Sequence, residues 1–292
     1  MRILINDTID LQADFGVIAT KGHLKAIVTP PILKQFSSTN WPDEHGVDYD
    51  TSNPVFNARA VSIPFFCRSE LSYQRLVSYL EQNIVNKWHF EAINREYMLR
   101  LTNNGNVVHR DGRWWFTLTF SEDKPMDKDY YSPPMMEHKT GFKIDNLDFG
   151  WYGCHFLKGH VAEINKPFAP KQNLVIASLQ TPGQQYPDKN TYYANKNVQI
   201  PILFKGKYIL QMLDSLVYKL SRPGFREFDE VATGGWFKFI YRSIEVVDFA
   251  PQRSLKINLN LEFQETDVFG LLIDDHGNFL VDDNTNTLSI EL

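Results

Sequence analysis

KGHLKAIVTPPILKQ, residues 21–35, returns at residues 158–172 as KGHVAEINKPFAPKQ. Lys-Gly-His opens both stretches, and at the same offset of 137 Ile27 matches Ile164, Pro30 matches Pro167, and Lys34-Gln35 matches Lys171-Gln172. The register runs on without a gap. Gly46 meets Gly183, Tyr49 meets Tyr186, Asn53 meets Asn190, and Val61-Ser-Ile-Pro64 meets Val198-Gln-Ile-Pro201. Positions 21–80 and 158–217 share 16 identities, where unrelated segments of this composition would share roughly four. A repeat of this length means one structural unit used twice. In the flanks, Asp14-Phe15-Gly16 aligns with Asp148-Phe149-Gly150, Phe120 with Phe263, and Trp88 with Trp236.

The repeat divides the 292 residues into a first domain at 1–126, a connection at 127–147, a second domain at 148–267 and a C-terminal β-meander at 268–292. The Pro-Pro pair and polar residues of 127–147 suit a linker. Within each copy, alternation in ARAVSIPFF (58–66) predicts a half-buried strand. The spacing of Leu76, Tyr79, Leu80 and Ile84 predicts a helix after it, and Ile209 to Leu220 its counterpart, stopped by Arg222-Pro223-Gly224. Asn104-Gly105 and Asp111-Gly112 read as turns before the strand WWFTLTF (114–120). The expected fold is therefore mainly β, two tandem β-sandwich-like domains with one packed helix each.

Composition removes several functions. Charged residues make up 22% and the net charge is −5, so there is no global basic field to hold a phosphate backbone. No run approaches 18 consecutive apolar residues, and the N-terminal stretch turns polar too early for a secretory signal, so no membrane anchor is expected. Cys67 and Cys154 stand in no CxxC frame and read as two reduced, buried thiols. The histidines of the two Lys-Gly-His triplets read as copies of a glycine-bearing strand bend. His155 and His160, taken as one strand, point to opposite faces and do not share a metal. Asp274-Asp275 and Asp282-Asp283 lack the ligand spacing of a calcium loop, and Thr233-Gly234-Gly235-Trp236 lacks the lysine of a phosphate cradle. No GxSxG, HExxH or GxGxxG occurs. Neither catalysis nor a cofactor is expected.

Arg59-x-Val61-x-Ile63-Pro64-Phe65, the helix with Leu76 and Leu80, Trp88-x-Phe90, Tyr97 and the terminal strand Phe116-x-Leu118-x-Phe120 followed by Pro125 resemble the tail-tube-like domain of phage distal tail proteins. The likeness covers 14–126. The second copy keeps Val198, Ile200, Pro201, Trp236 and Phe263 but has Lys196 where the family-like arginine would stand. The resemblance implies a virion structural protein, a distal tail or baseplate hub component of a phage or prophage. It implies self-association into a ring, three chains with pseudo-sixfold symmetry or six chains, which continues the tail tube. Tail tube, tape-measure and spike proteins would be its partners, with DNA passing through unbound. Candidate interaction residues are Trp41, Tyr49, Tyr186, Arg59 and Lys196, the first three from the loop 41–53 and its counterpart 180–190. A tandem carbohydrate-binding module is the alternative, carried by Trp41, Trp114, Trp115, Trp151 and Trp236.

Overall fold

The computed structural model describes residues 2–125, 138–171, 191–231 and 235–265, with the backbone alone of 269–271 and 289–291. The fold is mainly β and sandwich-like. The first half contains β1 (Ile3–Ile5), β2 (Ile9–Asp10), α1 (Leu11–Phe15), β3 (Val17–Ala19), α2 (His23–Val28), β4 (Ser38–Thr39), β5 (Asp48–Tyr49), β6 (Arg59–Cys67), α3 (Glu70–Gln82), β7 (Asn86–Phe90), β8 (Arg95–Asn103), β9 (Val107–Arg110) and β10 (Arg113–Glu122). The second contains β11 (Phe142–Ile144), β12 (Leu147–Asp148), a 3-10 turn (Phe149–Tyr152), β13 (His155–Phe156), α4 (His160–Ile164), β14 (Lys196–Lys205), α5 (Ile209–Leu220), β15 (Arg226–Glu230), β16 (Gly235–Ala250) and β17 (Ser254–Gln264). Two short strands, β18 (Phe269–Leu271) and β19 (Ser289–Glu291), pair with each other.

The first sheet runs β2-β1-β7-β8-β10-β6-β3, with β9 beside β10. The second runs β12-β11-β15-β16-β17-β14-β13. Strand for strand these are the same order, and β16 continues past the point where the first half breaks into β8 and β9. All ladders are antiparallel, so inward and outward residues alternate along each strand. Val61, Ile63, Phe65 and Cys67 of β6 face the core, as do Val198, Ile200, Ile202 and Phe204 of β14. Pro64 and Pro201 sit within these strands without costing a ladder bond. Their carbonyls accept from Thr20 and Leu157, so their missing N–H groups face the side where β3 and β13 give out.

Helix α3 starts at Ser69, whose hydroxyl accepts from the Ser72 amide, and buries Leu76, Val77 and Leu80. Its counterpart α5 buries nearly its whole circumference, Asp214 and Ser215 included, and Asp214 pairs with Arg95 of the first half. Asp111-Gly112 is a two-residue hairpin with φ of 52° and 69°. Asn6-Asp7 and Asp145-Asn146 make matching turns at β1–β2 and β11–β12. Cys67 and Cys154 are free and buried.

Several alignments change. β11 and the first residue of β12 lie inside the expected connection 127–147, and Ile144 and Phe142 pair with Phe228 and Glu230 in the second sheet. Residues 126–137 and most of 266–292 lie outside the described residues. Gly22 and Gly159 are not strand bends. With φ of 101° and 105° they precede the short helices α2 and α4, so His23 and His160 each open a helix and hydrogen-bond the carbonyls of Thr20 and Leu157. His155 is therefore in β13 and His160 in α4. Gly16 matches Gly153, both left-handed caps, and Asp10 matches Asp148 as the N-cap before them, so the two Asp-Phe-Gly triplets are not equivalent. By strand pairing, Trp88 answers Phe228 and Trp236 answers Glu96. Phe120 answers Leu261 and Phe263 answers Glu122.

Candidate interaction surface

Strand pairing keeps Arg59 and Lys196 at one position in the two copies, as the offset of 137 has them, and they do the same work. Arg59 donates to the carbonyls of Ile27 and Thr29 at the end of α2. Lys196 donates to those of Ile164, at 2.7 Å, and Lys166, at 2.8 Å, at the end of α4. Each pair of carbonyls is unsatisfied by its own short helix, and a cation reaching across from the neighbouring strand caps it. The surroundings differ. Arg59 forms a buried ion pair with Glu122 and lies 5.4 Å over the Tyr97 ring. Burial pushes the Glu122 carboxyl up, against the pull of Arg59. Where Glu122 stands in the first copy the second has Phe263, where Tyr97 stands it has Phe237, and where Pro31 stands it has Phe168. The Lys196 ammonium lies 4.3 Å from the Phe168 ring, 4.6 Å from Phe237 and 5.7 Å from Phe263, an aromatic enclosure for a cation.

Both residues are thus internal. Lys196 is 7% exposed and the Arg59 side chain 10%, and within the chain each holds its own copy together.

Burial lowers the Lys196 ammonium to about 8. In the unfolded chain it regains its ordinary value near 10.5, so between these values the unfolded state binds a proton that the folded state does not. Stability contributed at this site then rises with pH from about 8 to 10.5. Denaturant unfolding followed over that range will show this gain in the wild type and not in Lys196→Met. Identical pH slopes in the two proteins would refute it.

The halves meet in an extended joint. From the first half come α2, the segment 41–51 around β5, and the turn 91–95. Helix α2 packs against β16. The Tyr49 hydroxyl donates to Glu262 at 2.8 Å and accepts from Arg242 at 2.9 Å. Arg242 also donates to Glu262 at 2.7 Å and lies over the Tyr49 ring, and Asn195 donates to the same carboxylate at 2.7 Å. Burial, then the Glu262 carboxylate, raises the Tyr49 phenol above its ordinary value. Lys171 donates to the carbonyls of Trp41 and Glu44, and the His45 ring stacks on Tyr193. Gly46, at φ 69°, donates its amide to the Tyr193 carbonyl at 2.8 Å, and a Cβ there would stand 2.6 Å from the Gln264 side chain and 2.7 Å from that of Asn195. Arg95 closes the other end with an ion pair to Asp214 on α5.

The loop 41–53 therefore makes contacts, but with the chain's own second half. Trp41 remains half exposed, and Tyr186 lies outside the described residues. Sequence reasoning missed Glu262, Arg242, Arg95 and Asp214, which carry no local motif and sit on regular strands and a helix. A cavity of about 420 Å3 opens at the joint, lined by Arg59, Arg95, Tyr97, Glu122 and Asp214 among others. Its guanidinium and carboxylate groups are already paired with one another. Among the described residues no cluster of three or more His, Cys, Asp or Glu is placed to hold a metal ion, and no helix is long and apolar enough to cross a membrane.

No family model matches the chain, and no curated protein matches it. Among solved structures it is similar to the Dit protein (gp 19.1) of SPP1, described as a paradigm of the hub adsorption apparatus in phages that infect Gram-positive bacteria. The identity is 9%, over 90% of this chain and 98% of that one, with a TM-score of 0.33. That superposition is too loose to transfer the role of any residue.

Proposed function

We propose that the chain is two copies of one domain and serves as a structural, non-enzymatic component of a phage or prophage tail tip, of the distal-tail or hub type, which forms a ring by repeating between chains the contact made between its own halves. The observation that carries this is the polarity of the joint. The first half contributes 23–28, 41–51 and 91–95. The second contributes Lys171, Tyr193, Asn195, Asp214, Arg242 and Glu262. Subtracting the repeat offset, or reading across the paired strands, puts these on Lys34, Phe56, Ala58, Val77, Thr102 and Ser121 of the first half, none of which lies in the first set. The contact is head-to-tail, and a head-to-tail contact always leaves one donating and one receiving face unused.

Among the described residues, parts of those faces are open in a single chain. Val161 on α4, at the place of Leu24 on α2, is 45% exposed, and Val231, at the turn matching 91–95, is 57% exposed. Thr102, at the place of Arg242, is exposed on the receiving side. Tyr186 matches Tyr49 in the repeat, which in this reading makes it a candidate contact with the next chain. If each step turns by a sixth of a circle, three chains close a pseudo-sixfold ring. The phage tail assignment itself is supported by the sequence resemblance of residues 14–126, and with it the virion location and the tail tube, tape-measure and spike partners.

The test is substitution of the open faces. Val161→Glu and Tyr186→Ala will each weaken self-association at least tenfold in sedimentation velocity while leaving thermal unfolding unchanged. Association unaltered in both variants would refute the repeated contact.

A further inference from the structure

One outward row of the first sheet crosses four strands. Ile18 on β3 pairs with Phe66 on β6, Phe66 with Trp115 on β10, and Trp115 with Val108 on β9. Ile18 is 43% exposed, Trp115 37% and Val108 56%, and the Phe66 and Trp115 rings touch at 5.4 Å. Two residues along each strand, on the same face, Arg110 pairs with Arg113, and Arg68 follows one step beyond the Trp114–Cys67 pair. All three arginines are exposed. Asp111 lies 3.6 Å from Arg110, in a pair that is 80% and 84% exposed and so contributes little.

The fold does not require this face. In the second sheet the same row reads His155, Leu203, Lys256 and Asp248, and the arginine positions read Lys205, Ser254 and Ala250. Lys256 and Asp248 stay exposed in the half whose receiving face is occupied, so a joint of that kind does not cover the row. A row of apolar side chains that includes a tryptophan, flanked by arginines, has the composition of a protein-binding surface.

The chain carries a segment of complementary chemistry. Residues 266–292 contain Asp267, Asp274, Asp275, Asp282, Asp283 and Glu291, no lysine or arginine, and the apolar groups Phe269, Leu271, Leu272, Ile273, Phe279, Leu280 and Val281. Ile273-Asp-Asp275 and Val281-Asp-Asp283 place an apolar and an acidic residue two apart, the spacing of Val108 and Arg110 on β9. We propose that the apolar and arginine rows of the first sheet seat this chain's own C-terminal segment. The segment departs next to its own first half, since Gln264 lies against Gly46. Twenty-seven residues reach about 90 Å extended, or about half that when folded into a hairpin, and tethering raises the effective concentration to the millimolar range. The assignment does not depend on ring formation.

The experiment uses the full chain with a photoreactive benzoylphenylalanine in place of Ile18. After irradiation and mass mapping, cross-links are expected in 266–292, reduced at least fivefold by Arg110→Glu with Arg113→Glu, and equally by Asp274, Asp275, Asp282 and Asp283→Asn, which follow both halves in sequence. In an equal mixture of 14N and 15N chains, each cross-linked pair will carry one isotope. Cross-links elsewhere, none at all, or yields unaffected by either charge change would overturn the docking. Mixed-isotope pairs would overturn its assignment to the same chain. Sedimentation of the same sample reports the ring separately.

Discussion

Arg59→Met will lower the stability of the first half by about 3–5 kcal/mol, with Trp88, fully buried on β7, as the fluorescence probe of unfolding. The substitution strands three acceptors at once: the Glu122 carboxylate, whose side chain is 12% exposed, and the carbonyls of Ile27 and Thr29. An unpaired buried carboxylate is the dominant loss, because it must be desolvated without a partner or take up a proton. Arg59→Met with Glu122→Leu removes that charge and approaches the arrangement of the second copy, where Phe263 occupies the position. The double variant will recover more than half of the loss, leaving mainly the two carbonyls, about 1–3 kcal/mol. Lys196→Met removes the same kind of carbonyl contacts and only a longer-range attraction to Glu265, and will cost no more than that. Equal losses for Arg59→Met and Lys196→Met would contradict the account of these sites.

Glu262→Leu will separate the halves. This carboxylate accepts from Tyr49, Asn195 and Arg242, and its side chain is 11% exposed, so its removal leaves a guanidinium and two neutral donors without their acceptor. The expected cost to the joint is about 2–4 kcal/mol. Denaturant unfolding, one transition in the wild type, will divide into two, and Glu262→Gln, which retains an acceptor oxygen, will remain near wild type. A single unshifted transition in Glu262→Leu would mean that the joint is held elsewhere, for instance by Arg95 and Asp214.

Much of this was legible in the sequence, for physical reasons. An offset that holds through Pro64 and Pro201 constrains two strands to one environment, since proline in a sheet is tolerated only where no amide is needed. The helices over α3 and α5 are long enough for a 3.6-residue period to show. Helices α2 and α4 are not: six and five residues give barely a turn and a half, and their glycine starts resemble bends. Matching Trp88 to Trp236 followed residue identity across a gap, whereas the pleat fixes equivalence by pairing and gives Phe228. Arg59 and Lys196 were recognisable as one position, but their burial depends on carbonyls about 30 residues away in sequence. The loop 41–53 was expected to meet other chains, whereas the contacts seen are with strands of the same chain that carry no motif of their own.

The proposed ring makes one demand on the whole molecule: the unused faces of the head-to-tail joint must meet between chains. Native mass measurement of the full-length chain at tens of micromolar tests this most directly. The account predicts a closed species of three chains, which dissociates when Val161 is replaced by glutamate. A chain that stays monomeric at that concentration, or one that stops at a two-fold dimer insensitive to Val161, would contradict it.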